Sequence, residues 1–307
     1  LSYCNINMSA TATPPACCPA DSLPPSLHET PHCGAVLRTH DGMRVYVSAS
    51  DPASTPSDAR AQAERALALA HRVIVVFTDV YGMDAARHKR FADDLASAIG
   101  GNTVAIVPDL FRENPIMQPW FPEYLPVWFG TKLLGAVPML YRLKFIFDEA
   151  QVIEREIKGV LLPWLDNVTG AARPALSCVG FCYGGWVVGR ALAALPNRFR
   201  CGVGIHPSFN VAVAHGSTEV EVAEGIGEMP LLLLPAGNDS ATIKPGGDAC
   251  RILAKARGVR DEDVSRPFEE MTHGWVSRGD SRDEGIAKEQ ARALEMAAEF
   301  LRTHTDK

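Results

Sequence analysis

The stretch that most constrains the fold is 174–194, where an apolar run meets Gly180-Phe-Cys182-Tyr-Gly184 and an alanine-rich helical pattern follows at once. A buried strand, a tight turn and a helix in direct succession have the form of a nucleophile elbow, with Cys182 as the nucleophile. Such a turn crowds the backbone two residues to either side, which explains Gly180 and Gly184. The alternative is a buried cysteine in a glycine-rich turn, and the residues that follow decide between them.

The predicted helix begins just after Cys182, so we expect its N-terminal N–H groups and its dipole to point at the sulfur. Both lower the pKa of a thiol and stabilise a developing oxyanion. The backbone N–H of Tyr183 is the first predicted donor of an oxyanion hole. The N–H of Val80, in an earlier loop between a strand and a helix, is the second.

Apolar runs alternate with helical patterns along most of the chain, which predicts an α/β fold with a mostly parallel sheet and helices on both faces. A hairpin around Asp41-Gly42 precedes these repeats. The buried strands are predicted at 72–77, 103–107, 174–179, 201–206, 230–235 and 265–271.

We predict two regions: an irregular N-terminal extension, 1–32, rich in Pro, Ser, Thr and Ala, and an α/β domain, 33–307. Within the domain, 113–145 carries an aromatic, proline-interrupted stretch that breaks the strand and helix patterns. We predict a lid-like insertion over the site, and the alternative is a segment that covers the sheet edge.

The composition, with 47% hydrophobic and 21% charged residues, is typical of a globular enzyme. A net charge of −6 does not favour binding to nucleic acid. No apolar run in the sequence predicts a membrane span. The eight cysteines do not form a disulfide scaffold, so we expect a reducing, cytoplasmic location. Cys178 and Cys201 fall inside strand patterns and are expected in the core. The cysteines and histidines near the N-terminus lack the spacing of a zinc site, so no metal is predicted.

Asp239 and His273 each follow a predicted strand, as Cys182 does. The order nucleophile, acid, histidine is that of α/β-hydrolases. Either residue alone would be read as a surface or capping residue, but the conjunction predicts a triad. In this triad Cys182 attacks a carbonyl, His273 transfers the proton, and Asp239 orients the imidazole.

At these residues the sequence resembles the dienelactone hydrolase family. The resemblance extends over roughly 34–301 and rests on Gly180-Phe-Cys-Tyr-Gly-Gly185, Gly237-Asn-Asp239, and Thr272-His-Gly-Trp275 leading to Arg278-Gly-Asp280. It implies an α/β-hydrolase fold, hydrolysis of small carboxylic esters or lactones in the manner of a carboxymethylenebutenolidase, and no metal or organic cofactor.

The resemblance also implies roles for further residues. Asp79 stands where the family has an acidic residue that contacts the resting thiol, and the alternative is that it caps the following helix. Arg112 and Arg278 are the nearest equivalents of arginines that bind a substrate carboxylate. Tyr81 and Trp275, in the motifs around Asp79 and His273, are candidate substrate contacts.

His206 ends a predicted strand and either lines the pocket or is a hydrogen-bonded structural histidine. For the whole chain, the main hypothesis is a cysteine hydrolase, as a monomer or homodimer. The alternatives are a thiol sensor or ligand-binding protein on the same fold, with an oxidisable Cys182, and an acyltransferase that uses the same residues.

Overall fold

The computed structural model describes residues 18–19, 21–23, 31–48, 56–113 and 150–306. Apart from residue 113, the predicted lid-like insertion lies outside these ranges, as does most of the predicted N-terminal extension. None of the helices in the described ranges is both long and apolar enough to cross a membrane.

Among the described residues, seven strands form one sheet in the order β1-β2-β4-β3-β5-β6-β7. The predicted hairpin is present as β1 and β2, and β2 also runs antiparallel to β4. All other neighbours are parallel, as the continuous apolar runs predict. The strands are β1 Ala35–Arg38, β2 Arg44–Val47, β3 Arg72–Phe77, β4 Thr103–Pro108, β5 Ala175–Phe181, β6 Phe199–Ile205 and β7 Leu231–Leu234.

Helices connect the parallel strands and cover both faces of the sheet. In the described chain they are α1 Pro56–Ala68, α2 His88–Ile99, α3 Leu162–Thr169, α4 Tyr183–Ala194, α5 Glu219–Ile226, α6 Asp248–Arg257, α7 Asp261–Val264, α8 Trp275–Arg278 and α9 Glu284–Thr305. A π-helical segment, Ala150–Leu161, continues directly into α3, and short 3₁₀ turns lie at Gly170–Ala172, Phe209–His215 and Ala241–Ile243.

The core lies on both sides of the sheet because successive strand residues point to opposite faces. In β3, Val73 and Val75 join a cluster with residues of α1, α4 and α6, whereas Ile74 and Val76 join a cluster with residues of α2 and α9. The predicted covering of both faces is therefore present.

Two predicted elements differ from the structure. The helix expected from Asp84 begins only at His88, because Ala86 has a φ of 60°, a left-handed conformation that interrupts a right-handed helix. The last predicted strand, 265–271, does not form a regular strand of the sheet. It is joined to β7 and the residues just after it by two isolated parallel bridges, Leu233 with Ser265 and Ala236 with Phe268. Pro235 and Pro267 lie in these two segments and lack the N–H that a continuous ladder needs.

Candidate active site

Cys182 occupies the turn between β5 and α4, with φ of 53° and ψ of −115°. A residue with a Cβ is strained in this conformation, which is the one a nucleophile elbow needs. A Cβ on Gly180 would lie 2.0 Å from the carbonyl oxygen of Gly184, and a Cβ on Gly184 would lie 2.3 Å from that of Phe77. Both positions therefore require glycine, for the reason expected from the sequence.

Asp239 holds the imidazole of His273. Nδ1 of His273 lies 2.5 Å from Oδ1 of Asp239, and both side chains are buried. The other oxygen, Oδ2, accepts a hydrogen bond from the N–H of Ala236 at 2.6 Å. Because both carboxylate oxygens are held, the carboxylate fixes the orientation and tautomer of the ring.

The imidazole lies beside the sulfur of Cys182. A ring nitrogen of His273 and the Sγ atoms of Cys182 and Cys18 all lie within 4.8 Å of one another. The structure thus brings the three residues of the predicted triad together beyond the carboxyl ends of β5 and β7, where α/β sheets place their sites. Thiolate and imidazole are also ligands that Zn²⁺ prefers, so this cluster is the part of the described chain that could hold a soft metal ion.

The pKa of His273 is raised well above 6.5. Burial opposes protonation of the ring, but the adjacent Cys182 sulfur and the hydrogen bond to Asp239 raise the pKa by more. A protonated imidazole favours a neighbouring thiolate. The arrangement can therefore supply a nucleophilic sulfur and a proton for a leaving group.

Ser208 also contacts the sulfur, and the sequence did not single it out for a role. Its buried hydroxyl donates to Sγ of Cys182 at 3.4 Å, and its N–H donates to the carbonyl of Cys182 at 2.9 Å. Ser208 lies in the loop after β6, the strand next to β5. That adjacency of strand ends was the available signal for its position.

The two predicted oxyanion donors lie on adjoining segments. Tyr183 is the first residue of α4, where N–H groups have no acceptor within the helix, and Val80 is buried in the loop after β3. Gly184 packs against the carbonyl groups of Phe77 and Thr78, which brings the start of α4 against this loop. Their role as donors stays a prediction.

Asp79 is fully buried, and its carboxylate is held by α8. Oδ2 lies 3.2 Å from Nη1 of Arg278 and accepts a hydrogen bond from Oγ of Ser277 at 3.3 Å. The alternative role of Asp79 as a helix cap is not observed, because α2 follows Arg87 and has no side-chain cap. The expected contact between Asp79 and the resting thiol stays a prediction.

Arg278 is buried at the edge of the site. Its guanidinium lies 5.2 Å from the ring centroid of Tyr81, and Gly274 leaves room for it, since a Cβ there would lie 2.3 Å from Nη2. Burial lowers the pKa of Arg278, but Asp79 and the Cys182 sulfur raise it by more. Nε and Nη2 are buried without a hydrogen-bond partner among the described residues, so they can receive an anion.

Arg112 is held by two carboxylates. Its Nη2 lies 2.8 Å from Oδ2 of Asp41 and 2.5 Å from Oε2 of Glu156, in a partly exposed ion-pair cluster. Both carboxylates hold the guanidinium of Arg112, and its role in binding a substrate carboxylate stays a prediction.

Trp275 and His206 pack behind the histidine of the site. Trp275 is buried, with its ring centroid 5.3 Å from that of His206, and its role as a substrate contact stays a prediction. The ring of His206 lies edge-on to His273 at 4.8 Å, and neither of its nitrogens has a hydrogen-bond partner in the described chain. Burial, together with the charge on His273, lowers the pKa of His206 well below 6.5 and keeps it neutral.

A cavity of about 470 Å³ opens beside Asp239 and Ser208, and Cys18 forms part of its wall. Its described lining carries several hydroxyl groups and the carboxylate of Glu219, but no lysine or arginine. Cys182 and His273 themselves are completely buried behind it. The cavity is therefore suited to a neutral, hydrogen-bonding part of a substrate.

The sequence profile of the dienelactone hydrolase family matches residues 60–305. A comparison with curated protein sequences finds no significant match. Among solved structures, an acylaminoacyl peptidase from Pyrococcus horikoshii is similar at 13% identity, with a TM-score of 0.52 over 91% of this chain and 42% of that one. A dienelactone hydrolase from Anabaena variabilis is similar at 12% identity, with a TM-score of 0.48 over 91% of this chain and 100% of that one.

The chain thus spans about two fifths of the peptidase chain that it matches. At these identities the likeness concerns the fold alone. With the parallel sheet described above, it confirms the predicted α/β-hydrolase fold.

Proposed function

The chain belongs to the dienelactone hydrolase family, a family of ester-bond hydrolases, and we propose that Cys182 is the nucleophile with which it hydrolyses carboxylic esters or lactones. The observation that carries the proposal is the Asp239–His273 contact of 2.5 Å beside the Cys182 sulfur. A cysteine with only a structural role has no need of an oriented, readily protonated imidazole.

In the first half of the reaction the sulfur of Cys182 attacks the substrate carbonyl. The developing oxyanion accepts hydrogen bonds from the backbone N–H groups of Tyr183 and Val80. His273, as imidazolium, protonates the leaving alkoxide, which in a lactone remains attached to the acyl group. The product of this half is a thioester on Cys182.

In the second half His273, now neutral, removes a proton from water, which attacks the thioester and releases the acid. Asp239 stabilises the imidazolium in both halves without taking the proton itself. The Cys182 thiolate released in this step then forms an ion pair with the protonated His273 or takes its proton, which restores the starting state.

Arg278 is the residue we assign to a substrate carboxylate. Its Nε and Nη2 are buried donors without a partner among the described residues, while Nη1 is held by Asp79. An acyl group with a carboxylate would satisfy these donors. Comparing KM for matched esters with a carboxylate or with a carboxamide tests this assignment, since the carboxylate must bind more tightly if it is correct.

The second candidate function is that of a thiol sensor or ligand-binding protein. The sulfur of Cys182, at a helix N-terminus, would then act by being oxidised. The intact Asp239–His273 pair argues for turnover. An acyltransferase differs from a hydrolase only in the acceptor of the second half, so products formed with added alcohols or thiols separate the two. The cytoplasmic location and the monomeric or dimeric state remain predictions from the sequence.

The test of the function is hydrolysis of short-acyl aryl esters and of dienelactone by the wild type, Cys182→Ala and His273→Ala. We expect both variants to lose turnover, whereas Cys33→Ala, which removes a partly exposed thiol, keeps it. Full activity of Cys182→Ala would overturn the assignment of the nucleophile. An inert wild type across the whole set would favour the sensor.

A further inference from the structure

A short N-terminal segment is folded against the site. The N–H of Leu23 donates to the carbonyl of His273 at 3.0 Å, and Asn238 Nδ2 donates to Asp21 Oδ1 at 2.7 Å. Asn238 Oδ1 in turn accepts a hydrogen bond from the N–H of His273 at 2.7 Å. These bonds tie the segment to both loops of the Asp239–His273 pair.

The same segment carries Cys18, whose sulfur lies 3.4 Å from the sulfur of Cys182. A disulfide has an S–S bond of about 2.05 Å, so the two sulfurs need only a small approach to reach it. Both thiols are reduced in this structure. The distance belongs to a pair separated by 164 residues, so tertiary packing alone creates it.

Two basic side chains lie close to this pair of sulfurs. His273 lies within 4.8 Å of both sulfurs, and the buried guanidinium of Arg278 interacts with both. Cys178 and Cys201 offer a contrast: they are buried near each other in the core, and burial raises the pKa of each thiol. Cysteines of that kind are inert, whereas a thiolate near positive charge is readily oxidised.

We propose that Cys18 and Cys182 form a reversible disulfide when a hydroperoxide oxidises Cys182. The thiolate of Cys182 attacks the O–O bond and forms a sulfenic acid, and the departing alkoxide or hydroxide takes a proton from His273. The sulfur of Cys18 then attacks the sulfenic sulfur of Cys182 and forms the S–S bond. The hydroxide that is expelled takes the proton of the Cys18 thiol and leaves as water. Two thiols are oxidised while the hydroperoxide is reduced to an alcohol and water.

The disulfide has a consequence for ester hydrolysis, which rests on the proposed function. It removes the nucleophile and fixes residue 18 in the wall of the cavity. It also protects Cys182, because a sulfenic acid captured by a second thiol is not oxidised further to sulfinic acid. A dithiol reductant restores both thiols by exchange.

The experiment uses the full chain, reduced and kept in a chelator, with a stoichiometric amount of hydrogen peroxide. The remaining thiols are then alkylated, and a digest made without reductant is analysed by mass spectrometry. We expect a peptide pair linked through Cys18 and Cys182 that disappears with dithiothreitol. The variant Cys33→Ser should give the same pair, because Cys33 has no part in it.

In Cys18→Ser we expect a Cys182 sulfenic acid that dimedone traps, followed by sulfinic acid that dithiothreitol does not reverse. Wild-type Cys182 that stays reduced, or that reaches sulfinic acid as fast as in Cys18→Ser, would overturn the proposal. The digest does not depend on turnover. A linked pair in a chain without esterase activity would therefore count against the proposed function and leave the disulfide standing.

Discussion

Nη1 of Arg278 lies 3.2 Å from Oδ2 of Asp79, and both side chains are completely buried. The pair joins the loop after β3 to α8, just beyond His273, so it connects two sides of the candidate active site. It leaves Nε and Nη2 of Arg278 without a described partner. Stability and anion binding therefore depend on the same guanidinium.

Asp79→Ala should destabilise the protein by about 3–5 kcal/mol, because it leaves the Arg278 charge buried without a counter-charge. Urea unfolding measures this change. The double variant Asp79→Ala/Arg278→Met should recover most of the loss, since it removes both charges. A double variant no more stable than Asp79→Ala would show that the pair does not carry the effect.

Asp239→Asn should lower kcat by about 10²–10⁴-fold, because the imidazole loses the carboxylate that orients it. The hydrogen bond that His273 donates to Asp239 also raises the pKa of His273, so the loss of this bond lowers that pKa. The imidazolium needed as acid is then lost at lower pH, and the alkaline limb of the kcat profile moves to lower pH. Asp166→Asn, at an exposed ion pair with Arg198, should leave the profile unchanged.

Ser208→Ala should reduce kcat/KM by about 10–100-fold, the effect of removing a hydrogen bond of about 1.5–3 kcal/mol to a charged sulfur. The thiolate loses a donor at 3.4 Å, so iodoacetamide should also label Cys182 more slowly near neutral pH. Labelling is followed on the peptide that contains Cys182. Equal labelling rates in this variant, the wild type and the control Ser217→Ala would exclude a role for this hydroxyl.

Gly184→Ala should prevent the elbow from forming, since its Cβ would lie 2.3 Å from the carbonyl oxygen of Phe77. We expect loss of soluble folded protein or a large fall in thermal stability. Gly225→Ala, in the last turn of α5, is the matched control, because its Cβ would lie 3.6 Å from the Cβ of Ala193. That change should stabilise the protein by up to about 1 kcal/mol. Thermal unfolding distinguishes the two outcomes.

Much of the fold and the location of the site could be predicted because the signals are local. Continuous apolar runs specify buried parallel strands, and the motif around Cys182 specifies a strand–turn–helix junction. The predicted α/β-hydrolase fold and the dienelactone hydrolase family are confirmed. The meeting of Asp239 and His273 with Cys182 follows from strand ends that share one edge of the sheet.

The partners of individual polar groups could not be predicted, because pairs distant in the chain meet only when the elements pack. Asp79 and Arg278 are 199 residues apart, so nothing near Asp79 shows that a guanidinium will occupy its carboxylate. Arg112 follows the carboxyl end of β4, and the carboxylates that bind it, Asp41 and Glu156, are 71 and 44 residues away in the chain.

The sequence by itself therefore determined the sheet and the elbow, and it predicted the residues of the proposed triad, since each rests on local pattern and chain order. The tertiary structure alone decided which groups surround the sulfur. It brought the hydroxyl of Ser208 and the thiol of Cys18 to 3.4 Å from Cys182. The physical reason is that such contacts depend on how loops and a terminal segment pack over the sheet edge, and no periodicity in the chain encodes that packing.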